Sequence, residues 1–265
     1  MTRTRHAVAP RCVVITGASR GLGAELARLY AAPGVRLGLI GRDRRALAET
    51  AAFCRAQGAA VEEGCIDVRD GEALGAWLIA FDERSAIELL VANAGISAGP
   101  QGEAESEGRD TAARQIETNL LGAINAVEPL VPRMLARRRG QIALVASIAA
   151  YRGLPDSPAY CASKAGIRTY GEALRPLLAP GGIAVCVVLP GYFASAMSAR
   201  VRGPRPGMIP AARAAAIMHR GLARRRARIV FPRGFGFGLQ LLDLLPARIG
   251  DWLIRRYRFR IAPLR

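Results

Sequence analysis

Apolar, β-branched runs alternate with helix-patterned stretches from near the start of this 265-residue chain to Phe231, and nothing else in it restricts the fold as strongly. Strands that are each followed by a helix cannot turn back as hairpins. They pair in parallel, and the helices cover both faces of the sheet. The expected strands are Cys12–Ile15, Arg36–Ile40, Ala60–Cys65, Ile87–Ala92, Gln141–Ala146, Ile183–Leu189 and Arg228–Phe231. Between them the spacing predicts helices over Leu22–Ala31, Arg44–Ala56, Gly71–Phe81, Thr111–Ala136, Ala159–Leu178 and Ala211–Leu222. The expected fold class is α/β, a doubly wound parallel sheet of about seven strands in one domain. The one break in the alternation is Ala194–Pro210, dense in Gly, Pro and Arg, which reads as a mobile flap after the sixth strand.

Composition narrows the class. With 51% hydrophobic and 22% charged residues the chain has ample material for a core and carries no low-complexity tract. Cys12, Cys54, Cys65, Cys161 and Cys186 are scattered without metal spacing and read as reduced core residues of a cytoplasmic protein, with no metal site. The basic N-terminus lacks a separate apolar run and cleavage site, so no signal peptide is expected, and no apolar stretch is long enough to span a bilayer. The net charge of +17 raises nucleic acid as a partner. The arginines are spread along the whole chain, however, and no helix-turn-helix, RNP or zinc pattern accompanies them. They read as solvated helix faces, with no nucleic-acid role.

After the first strand comes Thr16-Gly17-Ala18-Ser19-Arg20-Gly21-Leu22-Gly23, then a helix. Glycines at such a turn let the backbone approach a pyrophosphate and aim the helix N-terminus at it. The second strand ends at Gly41-Arg42-Asp43, where the adenosine ribose of a dinucleotide would lie. An arginine there suits the 2′-phosphate of NADP, and Arg42 with Arg20 favours NADP(H) over NAD(H). Asp43, turned inward, would instead accept a ribose hydroxyl and favour NAD. Asp67-Val68 ends the third strand at the place for an adenine edge, and Asn93-Ala94-Gly95 ends the fourth.

Of the 38 Lys and Arg residues one is a lysine, Lys164, one helical turn after Tyr160. A compact ammonium beside a phenol favours the phenolate, so the tyrosine pKa is expected to fall toward the range useful for acid–base work. Ser147 follows the fifth strand at the edge where ligands collect. Taken together, Thr16–Gly23, Asn93-Ala94-Gly95, Asn119, Ser147, Tyr160, Lys164 and Pro190-Gly191 resemble, in order and spacing, the classical short-chain dehydrogenase/reductase family, over about Arg11 to Phe231. The resemblance implies a Rossmann-type sheet, a nicotinamide cofactor and hydride exchange with an alcohol or carbonyl. It assigns Ser147 to the substrate oxygen, Tyr160 to proton transfer, Lys164 to the phenolate and the nicotinamide ribose, and Asn119 to a helix kink and a proton-relay water. It also implies a homodimer or homotetramer. Ser195 stands where the family has a threonine that contacts the carboxamide, and Ala92-Asn93 replaces the common Asn-Asn.

Ile96, Tyr151, Leu154, Tyr192, Phe193 and Met197 are the side chains expected to face the substrate, which their apolar character makes a lipophilic carbonyl or alcohol. Arg152 and Arg200 are candidates for steering an anionic group. Residues 1–231 form the expected catalytic domain and 232–265 an amphipathic, basic extension. That extension suits packing on the protein or its oligomer, a cover for the substrate cleft, or peripheral contact with an anionic membrane.

Overall fold

The computed structural model describes residues 9–100, 106–256 and 260–261. Seven strands form one parallel sheet: β1 (Cys12–Thr16), β2 (Arg36–Ile40), β3 (Ala60–Gly64), β4 (Leu89–Ala92), β5 (Gly140–Val145), β6 (Ile183–Pro190) and, after a two-residue β7 (Val201–Arg202), β8 (Arg228–Phe231). Their spatial order is β3-β2-β1-β4-β5-β6-β8, the doubly wound arrangement, with the order reversing between β1 and β4. Alternate side chains of each strand enter opposite cores. On one face Val13, Ile15, Leu37 and Leu39 pack with α1 (Gly21–Tyr30), α2 (Arg44–Ala56) and α9 (Ala211–Ala223). On the other, Val14, Leu90, Ile142, Leu144 and Val187 pack with α3 (Gly71–Arg84), α5 (Gly122–Val127) and α7 (Pro158–Leu178).

The single long helix expected over Thr111–Ala136 is broken. It becomes α4 (Arg109–Ile116), a π-helical turn (Glu117–Leu121), α5, and a separate α6 (Val131–Ala136) with Pro132 in its first turn. Proline ends a helix register because it lacks a backbone donor, and the π turn is made where the Asn119 side chain is drawn into hydrogen bonds with another loop (below). The arginines are not all solvated faces either. Arg133 and Arg137 donate to Asp82 at 2.7 and 2.9 Å, and Asp82 also accepts from Ile87 N at 2.8 Å, fixing the entry to β4. Burial raises the Asp82 pKa, and these bonds outweigh it, so the carboxylate lies below its ordinary value. Four cysteines are buried as expected, but Cys65 is exposed, because β3 ends one residue before it.

The Gly/Pro-rich segment after β6 carries regular structure rather than reading as a bare flap. It contains α8 (Ala196–Ala199) and β7, and Phe193 bridges Ile209. The extension forms α10 (Arg233–Asp243) and α11 (Ala247–Arg256), then β9 (Arg260–Ile261), which pairs antiparallel with β7. Among the described residues no helix is long and apolar enough to cross a membrane.

Candidate active site

Two adjoining cavities open at the carboxyl edge of the sheet, where the reversal of strand order separates the loops. The larger, about 580 Å³, runs from the turn after β1 to the start of α7. Gly17, Ser19, Arg20, Gly21, Leu22, Arg42, Val68, Asn93, Ala94, Gly95, Ile96, Lys164 and Pro190 line it. The smaller, about 230 Å³, is bounded by Leu154, Tyr192 and residues of the extension. Ser147, Tyr160, Gly191, Phe193, Ser195 and Met197 line both, so the serine and the tyrosine stand at the junction.

The first turn is a cradle shaped by what glycine omits. Gly17 has φ of +66°, and a Cβ there would stand 2.8 Å from Ala94 Cα; a Cβ on Gly23 would lie 2.3 Å from the Gly17 carbonyl oxygen. Gly23 is not among the residues that line the larger cavity; its missing side chain lets α1 pack against the turn. Thr16 Oγ1 accepts from the Asn93 and Ala94 N–H groups, both at 3.0 Å, and Asn93 Nδ2 donates to Thr16 O and Gly17 O at 3.0 and 3.2 Å. The Asn93-Ala94-Gly95 motif thus clamps the end of β4 to the glycine turn.

At the far end Asp43 lines the larger cavity, but its carboxylate is already engaged. One carboxylate oxygen caps α2 by accepting from Ala46 N at 3.0 Å and the other is hydrogen-bonded by Arg20. The Ala46 amide and the Arg20 guanidinium hold its pKa below the ordinary value. Asp67, expected at an adenine edge, does not line the cavity. Its carboxylate accepts from Arg69 at 2.8 Å and Arg42 at 3.4 Å, while Ile66 and Val68 on either side supply the lining.

Lys164 is 4% exposed, and its Nζ donates to Val145 O at 2.9 Å. Nζ also sits 5.7 Å from the centre of the Tyr160 ring. Ser147 Oγ accepts from Ala149 N at 3.1 Å and donates weakly to Pro190 O at 3.4 Å, which fixes the hydroxyl at the end of β5. Asn119 lies fully buried behind the cleft. Its Oδ1 accepts from Ile96 N at 2.7 Å, and its Nδ2 donates to Ile96 O and Ser163 Oγ, both at 2.9 Å. The amide joins the π turn, the loop after β4 and the helix carrying Tyr160. A Cβ on Gly95 would stand 3.2 Å from Asn119 Oδ1 and 3.3 Å from Lys164 Nζ, a measure of how closely these motifs converge.

The tyrosine pKa moves opposite to the sequence expectation. Burial raises it to about 12, opposed by the hydrogen bond with the Ser147 hydroxyl. The same burial lowers Lys164 from 10.5 to about 8, because an ammonium taken from water loses more than a neutral amine does. The carbonyl of Val145, not the phenol, is the partner of Nζ.

Of the side chains expected at the substrate, Leu154, Tyr192, Phe193 and Met197 line the smaller cavity and Ile96 the larger. Tyr151 does not. It is buried under α10 in a separate pocket with Arg226, Arg228 and Gln240, because the 3₁₀ turn Ile148–Ala150 carries its ring away from the cleft. Arg152 pairs with Asp251 of α11 at 2.6 Å and so anchors the extension, whereas Arg200 lines the larger cavity and donates to Ser97 O at 2.7 Å. Residues that sequence reasoning missed include Ile66, Thr118, Val145, Ala146 and Ala196 in the larger cavity, and Phe235, Leu239, Leu242, Leu253, Ile254 and Ile261 in the smaller. The first group adjoins recognised motifs and was reachable by extending them. The second lies in the extension, with no motif to mark it.

A doubly wound sheet with a glycine cradle at its switch point and a Ser–Tyr–Lys cluster defines a nicotinamide-dependent oxidoreductase. The chain belongs to the short-chain dehydrogenase/reductase family: the short chain dehydrogenase profile matches residues 11–205. It is 33% identical over 249 residues to an uncharacterized oxidoreductase of Myxococcus xanthus, covering 94% of this chain and 98% of that one. It is also 33% identical to the ketoacyl reductase HetN of a Nostoc species, over 74% of this chain and 69% of the relative. Among solved structures, a short-chain dehydrogenase from Sphingobium yanoikuyae in complex with NADPH superposes with a TM-score of 0.77 at 26% identity, covering 91% of this chain and 95% of that one. A 3-oxoacyl-[acyl-carrier protein] reductase with bound NAD from Brucella melitensis gives 0.73 at 25% identity, with 86% and 92% covered.

Proposed function

We propose that the protein is an NADP(H)-dependent reductase of lipophilic carbonyl compounds. The observation that carries this reading is the junction itself: Ser147 and Tyr160 stand between the cavity that holds the glycine cradle, Arg20 and Arg42 and a second cavity walled almost wholly by apolar side chains. NADPH, when bound in the larger cavity, supplies the hydride. The glycine cradle and the N-terminus of α1 would hold its pyrophosphate, Arg20 and Arg42 its 2′-phosphate, and Lys164 its nicotinamide ribose. Arg20 is paired with Asp43 and Arg42 with Asp67, so a 2′-phosphate would take the place of those carboxylates on the two guanidiniums.

Toward the substrate, Ser147 donates to the carbonyl oxygen and holds it beside the phenol. Tyr160, with its pKa raised to about 12, is protonated at neutral pH and gives that proton to the oxygen as the carbon is reduced. A phenol kept in its acid form suits reduction better than oxidation. Lys164, an ammonium below about pH 8, offsets the negative charge left on the tyrosine. Asn119 is a positioning residue that holds the loop after β4 against α7.

The test is a titration of both cofactors by thermal shift and by turnover on a panel of apolar ketones. Arg20→Ala/Arg42→Ala should lose roughly tenfold to a hundredfold in NADPH affinity, the range of one to two charge-assisted hydrogen bonds, and leave NADH affinity unchanged. Equal loss for both cofactors would place the arginines elsewhere than at the 2′-phosphate.

A further inference from the structure

Helix α10 has two apolar stripes on opposite sides. Phe235, Leu239 and Leu242, spaced by four and three residues, line the smaller cavity. Phe237 and Leu241, continued beyond the helix end by Leu244 and Leu245, follow the same spacing half a turn away and face outward, with Phe237 61% and Leu244 80% exposed. In α11, Ile249 and Trp252 extend that outer surface, Trp252 being 54% exposed, while Leu253 and Ile254 face the cavity. Arg248 and Arg255, seven residues apart and both exposed, flank the Ile249–Trp252 stripe. An apolar stripe on a helix is normally covered; α10 covers one of its two against the smaller cavity and leaves the other largely exposed, with Phe237 at the rim of the Tyr151 pocket.

Charge selects the occupant of the other side. A second copy would bring another molecule of net charge +17 against a rim that is itself basic, whereas a negatively charged surface is attracted by both. An exposed apolar face with an aromatic residue and arginines along its edge is the pattern of a helix lying in the headgroup layer. We propose that the outer face of α10 and α11 docks on an anionic membrane surface, while the inner face roofs the substrate cavity. The docking stands without the proposed reaction, because vesicle binding is read with no substrate present.

The experiment is flotation of the full-length protein with phosphatidylcholine vesicles, with and without phosphatidylglycerol, at low and high salt. Binding is expected only to the phosphatidylglycerol vesicles, and it should weaken with salt. Leu244→Glu/Trp252→Glu, two exposed positions outside both cavities, should bind about tenfold more weakly or worse while retaining wild-type NADPH affinity and melting temperature. Unaltered vesicle binding in that variant would overturn the proposal, since charge alone would then account for it. So would the absence of binding to any vesicle, or a dimer in light scattering that the double substitution abolishes, which would make a second copy the occupant.

Discussion

Lys164 shows how far one residue can be read. Its uniqueness among the cations pointed to a role that arginine cannot fill, and the structure supplies the reason: an ammonium 4% exposed, donating to Val145 O, with Gly95 hard against it. A guanidinium has no room there, so Lys164→Arg should turn over far more slowly than wild type. Burial of this charge also predicts a pH dependence of stability. Below about pH 8 the lysine is charged in both the folded and unfolded states, and folding bears the full cost of desolvation. Between about 8 and 10.5 the unfolded chain still binds the proton and the folded one has released it, so stability rises with pH. Relative to Lys164→Met, wild type should gain up to about 3 kcal/mol across that window in urea unfolding; a flat difference would mean the charge is solvated. Tyr160→Phe should keep NADPH affinity and lose at least ~10²-fold in turnover, and retained turnover would assign the proton to another group.

Boundaries of elements followed from turn chemistry, and their interruptions did not. All seven strands of the main sheet were legible to within two residues; the central ones, buried on both faces, are nearly continuous apolar runs, and the edge strand β3, with Glu62 and Glu63, was placed by the alternation of strands and helices. The break between α4 and α6 was hidden because helical periodicity persists through it; the π turn answers to hydrogen bonds with Ile96 and Ser163, residues 23 and 44 positions away. Asn119→Ala would leave the Ile96 N–H and C=O without the amide that pairs them, so a loss of ~2–4 kcal/mol is expected in denaturant unfolding. A smaller loss, below ~1 kcal/mol, would show that water replaces the amide. Tyr151 lies elsewhere for a related reason: the 3₁₀ turn before it carries its ring into a separate pocket under α10.

For the molecule as a whole, the extension is the element that completes the smaller cavity. Its inner face supplies Phe235, Leu239, Leu242, Leu253, Ile254 and Ile261 to the smaller cavity, held there by the Arg152–Asp251 pair and the β7–β9 ladder. Under the proposed function, such a wall would select its substrate by apolar surface. Leu253→Asp, at a partly exposed position of that wall, should raise KM for apolar ketones roughly tenfold or more and leave KM for NADPH unchanged. An unaltered KM for the ketones would place the substrate outside this cavity.

Periodicity and motif spacing were sufficient for the sheet, the cradle and the Ser–Tyr–Lys cluster, because each depends on residues close in sequence or on a strand end whose place the winding dictates. The direction of the tyrosine pKa, the pairing of Asp43 and Asp67 with arginines, the inward amide of Asn119 and the roof over the smaller cavity came only with the folded chain. Desolvation, ion pairing and cavity shape depend on which distant surfaces meet, and no local pattern in the chain encodes that meeting.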